Sequence, residues 1–418
     1  MSDLSVEVHV ALGGATHLVG HLYLRSARGR EGATFLYAPE WLRHPERFAL
    51  EPGLVLGAGP YHTEAGRALF GALGDSAPDR WGRNLLARVE RRRARAERRA
   101  PRTLREVDYL LGVSDEIRPG ALRFRLGEEG PFLAAGGGDA VPPLVDLPRL
   151  LGAAGRVETA NETAEDLRLL LAPGSSLGGA RPKASVRDRG RLYIAKFPSA
   201  QDGYDLVGWE AVALALAAKA GIQVAKWRLE PVGRRRVLLV ERFDRRGVER
   251  VPYLSAMSLL GLRDGETGSY PEIADALRRH GAAVAEDLPE LWRRMVFNIL
   301  ASNSDDHLRN HGVLYQGPRG WALSPAFDLN PVPVDLRPRM LSTTITPDHD
   351  PTASLALALE VAGEFGLKPA EARAQARRVG RAVAGWRKAA AALGFGKGAL
   401  DRMATAFEHA DARLAAGG

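Results

Sequence analysis

Asn303-Ser304-Asp305-Asp306-His307-Leu308-Arg309-Asn310, followed by Phe327-Asp328-Leu329-Asn330-Pro331, is the stretch whose reading decides the fold. An acid, an amide five residues later and a second acid about one hairpin further on suit phosphoryl transfer, in which a protein does little covalent work. The chemistry needs a carboxylate to orient an attacking hydroxyl and take its proton, and hard oxygen ligands for the metal ion on a triphosphate. Asp305 is the expected base, and Asn310 and Asp328 the expected metal ligands. Asp306 stays open as an alternative base, although the five-residue step to Asn310 favours Asp305. The expectation is a protein kinase-like enzyme, against which the rest of the chain can be tested.

Immediately upstream, Leu288 to Ala301 reads as a helix apolar enough to be the buried spine of a lobe, and it delivers the chain straight into this loop. Downstream, Val313-Leu314-Tyr315 and Trp321-Ala322-Leu323 form a hairpin that ends at Phe327-Asp328. Further out, Gly178-Gly179 lies between apolar strands, where backbone amides can come close to phosphates. Most glycine pairs in a glycine-rich chain are ordinary hairpin turns. Lys196 adds weight, because a lysine embedded in the apolar strand Arg191 to Phe197 needs a reason to be there. It is either a phosphate contact or an edge-strand lysine facing solvent. Glu210 could pair with it, with Asp205 as runner-up. The strand Arg236 to Phe243 exits into Glu241-Arg242-Phe243-Asp244, which would suit a hinge that hydrogen-bonds adenine.

The remaining sequence sets bounds. With 418 residues, two or three folding units are expected. Residues 1 to about 60 read as short strands and turns. Glu64 to Ala100 reads as helical, interrupted near Gly74 to Pro78, where Asp75 or Ser76 could cap a new helix. Leu147 to Leu171 reads as one helix, Asp205 to Ala220 as a strongly amphipathic helix stopped by Gly221, and Thr352 to Ala415 as several helices. No run approaches the roughly 18 to 20 apolar residues of a membrane span, and the N-terminus lacks a signal peptide's basic start. A cytoplasmic protein with no membrane partner is expected. The chain has no cysteine, which excludes disulfides and thiolate metal sites. Its net charge of +8 points to an acidic partner or simply to solvated surface. The densest basic run, Glu90 to Arg99, has glutamates in it and no aromatic, and reads better as a solvated helix face than as a nucleic-acid contact.

Taken in order, Ser176 to Lys183, Ala195-Lys196-Phe197, Val240 to Arg245, Asn303 to Asn310 and Pro325 to Leu329 resemble the HipA family of toxin serine/threonine kinases. Phe70 to Leu73 and Pro78-Asp79-Arg80 look like that family's N-terminal subdomain. The likeness spans essentially the whole chain, and the Asp305, Asn310 and Asp328 motif is its specific part. It implies an α+β, two-lobed protein kinase-like fold with an N-terminal β-rich subdomain and a mainly helical C-terminal lobe. The divisions would be residues 1–110, 111–250 with phosphate loop, ATP lysine and hinge, and 251–418 with the catalytic and metal loops.

The resemblance further implies that ATP and Mg2+ bind between the lobes. Gly178, Gly179 and Lys196 would contact the phosphates, Glu241 and Phe243 would form the hinge, and Asn310 and Asp328 would hold the metal. Asp305 would be the base, with His307 supporting the loop or packing in the core. Ser176 matches an autophosphorylated serine, with Ser175 beside it. A small DNA-binding antitoxin of the HipB type, DNA reached through it, and a protein substrate such as an aminoacyl-tRNA synthetase are the implied partners. His307 follows Asp305 rather than preceding it, an order closer to phosphoinositide kinase-like enzymes. A small-molecule or lipid phosphotransferase is therefore an alternative, as is a catalytically weak co-repressor on an antitoxin–DNA complex.

Overall fold

The computed structural model describes residues 4–27, 30–127, 130–132, 141–142, 144–171 and 181–417. They form two compact units, one of residues 1–201 with 230–254, the other of residues 202–229 with 255–418.

Among the described residues, the first unit holds two larger sheets and a two-stranded ribbon of Arg245–Arg246 with Glu249–Arg250. In one, β1 (Leu4–Leu12), β2 (Ala15–Ala27), β3 (Arg30–Tyr37), β4 (Tyr61–His62) and β5 (Leu122–Arg125) run antiparallel in the order β4-β3-β2-β1-β5. Val6, Val8 and Val10 point to one face of β1 and are fully buried, as period-two alternation requires. The opposite face is covered too: Glu7 accepts from His9 and from Arg125, its cross-strand partner on β5.

The second sheet has the order β6-β7-β9-β8, from β6 (Lys183–Asp188), β7 (Arg191–Lys196), β8 (Trp227–Val232) and β9 (Arg235–Glu241). Its apolar face, with Val186, Ala195 and Leu239, shares one core with Trp81, Leu150 and Leu167 from three helices. Two helix readings need correction here. Leu147 to Leu171 is two helices, Leu147–Glu158 and Ala164–Leu171, because Ala160 takes a left-handed φ of 56° that ends the first. The helix after Gly74 starts at Arg80, not near Asp75. Asp79 is its cap, accepting from the Gly82 amide at 2.8 Å.

Asp79 does more than cap. Its other oxygen takes the Lys183 ammonium at 2.8 Å, with side-chain exposures of 5% for Lys183 and 3% for Asp79. The Trp81 indole donates to the Lys183 carbonyl at 3.0 Å. The start of this helix thereby pins the first residue of β6. Just past β9, buried Asp244 accepts from Arg242, Arg245 and the Gly120 amide. Both arginines also donate to carbonyls of the segment from Glu116 to Gly120. Burial pushes the Asp244 carboxyl up, but the two guanidiniums override it and hold it below the usual range.

The second unit is mainly helical. Helix Leu206–Ala220 is capped by Asp205 at Gly208 N and stopped by Gly221 at φ 84°. The sequence reading made it amphipathic. It is instead buried nearly all round, with Trp209 stacked on Phe395 at 4.4 Å. Helix Pro369–Ala384 lies so close to Ala410–Ala416 that a Cβ on Gly380 would sit 2.4 Å from the Ala415 carbonyl carbon. Helix Val284–Leu300 is the spine: Leu291, Trp292, Met295, Phe297 and Leu300 have no exposed surface. Each such side chain contributes about 1.5–3 kcal/mol on burial.

Candidate active site

The spine helix ends at Leu300, and Ser302 turns the chain sharply with a φ of 50°, unusual for a residue other than glycine. The loop that follows presents two adjacent carboxylates differently. Asp305 is exposed, its nearest cation being Arg337 at 3.4 Å. Asp306 is 1% exposed and accepts from the Tyr270 hydroxyl at 2.6 Å and the Ser342 amide at 3.0 Å. Burial raises its carboxyl to about 7, against the lowering pull of Tyr270, the Thr343 and Ser342 amides and Asn298.

Asn310 closes the loop. Its backbone amide donates to the His307 carbonyl at 2.7 Å, and its side-chain NH2 donates to the Asp305 carbonyl at 2.8 Å. With the NH2 so used, the amide oxygen is the end left to face a cation. His307 is half-buried and Nδ1 has no hydrogen-bond partner, so its visible contribution is the carbonyl that shapes the turn. Nearby His311 is kept neutral, its pKa pushed down to about 3 by burial and then by Arg294.

Hairpin Gly312–Tyr315 and Trp321–Leu323 carries the chain to the second acid. Ala326 pairs with the backbone at Gln223 and Ala225, which fixes the approach. Asp328 then adopts a φ of 55°, a conformation that Asp tolerates better than most residues and that recurs at functional sites. Two hydrogen bonds tie its loop to the first one: Asn330 N to Asn303 Oδ1 at 3.2 Å, and Val332 N to Ser302 O at 3.1 Å. The structure thus brings the Asp305–Asn310 and Asp328 loops together.

Of the nucleotide residues expected upstream, Lys196, Glu241 and Phe243 lie in the first unit. Lys196 is half-buried at the end of β7, with Lys183 and Leu238 as its strand partners. Glu241 ends β9 opposite Tyr193, and both its oxygens lie 3.2 Å from Arg191. Phe243 packs at 6.2 Å from the Tyr253 ring. Glu210 is buried on its helix in the second unit, and Asp205 is occupied as the cap of that helix. Ser175, Ser176, Gly178 and Gly179 lie outside the described residues.

These donors fit magnesium. Mg2+ is held by one or two carboxylates plus substrate phosphates rather than by an all-protein cage. One carboxylate and one amide oxygen on hydrogen-bonded loops answer to that. Among the described residues, no cluster of three His, Cys, Asp or Glu side chains offers a different kind of metal site.

Three supporting side chains went unread in the sequence. Asn298 had a signal, since an amide in the apolar run Phe297-Asn298-Ile299-Leu300 needs a partner. Arg337 and Tyr270 had none, being distant in sequence from the loop they touch.

Residues 175–386 match the HipA-like C-terminal domain, half of the chain, and the protein belongs to that family. Among curated proteins it is 29% identical over 181 residues to "Putative kinase Y4mE" of Sinorhizobium fredii, covering 40% of this chain and 38% of that one. It is 34% identical over 95 residues to "Putative kinase Y4dM" of the same organism, covering 22% and 23%. The matches span less than two fifths of those relatives' length. Among solved structures, a chain of the Shewanella oneidensis MR-1 toxin–antitoxin complex of HipA, HipB and operator DNA superposes with a TM-score of 0.66. That match covers 98% of this chain and 96% of the other at 18% identity, and establishes a shared α+β fold.

Proposed function

We propose that this chain is an ATP- and Mg2+-dependent serine/threonine protein kinase and the toxin of a toxin–antitoxin pair. The observation that carries the reading is an exposed Asp305 on a loop that is hydrogen-bonded, through Asn303 and Asn330, to the loop of Asp328, in a chain of the HipA-like family. Asp305 orients a serine or threonine hydroxyl and takes its proton as the oxygen bonds to the terminal phosphorus and the bond from that phosphorus to the departing ADP oxygen breaks. Asp306 is unsuited to that task, since its oxygens already accept protein hydrogen bonds. The Asn310 amide oxygen and the Asp328 carboxylate would hold the metal, which would offset phosphate charge when bound. Lys196, Gly178 and Gly179 grip the phosphates, and Glu241 and Phe243 flank the adenine. His307 keeps the turn in shape.

The full-length likeness to a chain of the HipA–HipB–DNA complex supports a HipB-type antitoxin, with DNA reached through it. Ser176 is the autophosphorylated residue, and a translation component such as an aminoacyl-tRNA synthetase is the substrate class. Peptide mass mapping after incubation with MgATP tests the reading. Phosphate on Ser176 in the parent and none in Asp305→Asn is expected. No gain of phosphate on any residue, with no MgATP-dependent rise in melting temperature, would contradict it.

A further inference from the structure

We propose that Asn303 is a positioning residue that fixes the Asp328 loop against the Asp305–Asn310 loop and thereby sets magnesium affinity. The inference rests on the reading of Asn310 and Asp328 as metal ligands. Asn303 is 1% exposed and uses both ends of its amide. Its oxygen accepts from Asn330 N at 3.2 Å, and its NH2 donates to Asn298 Oδ1 at 3.0 Å.

The chain of hydrogen bonds continues inward. Asn298 donates to the Tyr270 hydroxyl at 2.8 Å, Tyr270 donates to Asp306, and Asp306 accepts from Ser342. Five segments therefore meet in one buried polar network: the helix Tyr270–His280, the spine helix, the Asp305 loop, the Asp328 loop and the segment around Ser342. Its members stay in place because a lost link leaves a buried group unpaired.

Asn298 sits in the last turn of the spine helix, among residues that are buried in the core. Asn303 refers the Asp328 turn to that helix. Neither a serine nor a valine could span both partners, and an aspartate would set a charge against the Asn298 carbonyl oxygen. Asp328 itself is at φ 55°, so its loop is strained and needs support close by. The Asn330 amide, two residues on, is where that support arrives. Magnesium tolerates little error in ligand placement. Loss of a group that orients metal ligands commonly weakens metal binding by roughly 10- to 100-fold.

The test is titration of a fluorescent ATP analogue with and without magnesium, on the full chain, with melting curves for each variant. The parent should bind nucleotide more tightly when magnesium is present. Asn303→Ala should keep its metal-free nucleotide affinity and need roughly tenfold more magnesium for half-saturation. Asn303→Asp, which retains an acceptor for Asn330 N, should fall between the two. A parental magnesium requirement in Asn303→Ala overturns the proposal. Should that variant not fold, a parental requirement in Asn303→Asp overturns it equally. A parent whose nucleotide binding ignores magnesium instead overturns the kinase reading beneath it.

Discussion

Asp305 and Asp306 are chain neighbours with opposite surroundings: Asp305 is exposed beside Arg337 at 3.4 Å, whereas the Asp306 carboxylate is buried under the Tyr270 hydroxyl at 2.6 Å. In the proposed function one is placed to meet a substrate, while the other holds the loop still through its hydrogen bonds. Asp305→Asn should therefore lower phosphate transfer by roughly 100-fold or more while melting with the parent. Asp306→Ala strands the Tyr270 hydroxyl and the Ser342 amide, and should cost about 2–4 kcal/mol in urea unfolding. Equal stability losses in the two variants would contradict this division of labour.

The Asp79–Lys183 pair yields a second expectation. Lys183→Met leaves a buried carboxylate without its cation, a loss of about 3–5 kcal/mol. Adding Asp79→Leu removes that orphan charge and should restore part of the stability. Recovery should stop short by about 1 kcal/mol, because Asp79 also caps the helix Arg80–Ala96. Full recovery on a denaturant curve would show that the cap is immaterial.

Glu51 predicts a pH dependence. It is buried and accepts from the Ala72 amide at 2.6 Å, and burial raises its carboxyl to about 7 from 4.5. A raised acid binds more protons in the folded state, so its contribution is fully present below pH 4.5 and is lost as pH rises through 7. Glu51→Gln stays neutral throughout. Relative to the parent it should gain on the order of 2 kcal/mol between pH 5 and pH 8. A pH-independent difference between the two proteins would refute the assignment.

The basic run on helix Arg80–Ala96 is partly neutralised within itself. Arg93 pairs with Glu97 at 2.7 Å, and Arg99 with Glu90 at 2.5 Å. Replacing exposed Arg91, Arg95 and Arg98 with Gln should leave phosphate transfer and melting unchanged. Any nucleic-acid affinity should weaken in a salt-dependent way, its log–log salt slope falling by up to about 0.9 per lost phosphate contact. A drop in transfer on peptide substrate would show that this face serves the site.

Much of this was legible in advance. The spine helix, the hairpin and the loops on either side follow from local periodicity and turn residues, the main difference being that the spine helix starts at Val284 and not at Leu288. What escaped depends on distant partners. Nothing near Asp79 announces Lys183, and helix Leu206–Ala220 reads as amphipathic until its neighbours bury it on nearly every side. The early cap near Asp75 failed because Asp75, Ser76 and Asp79 are all good caps, and local chemistry does not choose among them. Asn303 belongs to the motif, yet its task is visible only once Asn298 and Asn330 are seen on either side of it.

In the proposed reaction Asp305 takes the hydroxyl proton during magnesium-dependent phosphate transfer. Single-turnover transfer of labelled γ-phosphate from MgATP to protein, run on the parent and on Asp305→Asn, tests it most directly. The account predicts transfer in the parent, and in the variant intact MgATP binding with transfer slowed by roughly 100-fold or more. Parental transfer in the variant, or no transfer by the parent with MgATP bound, would contradict it.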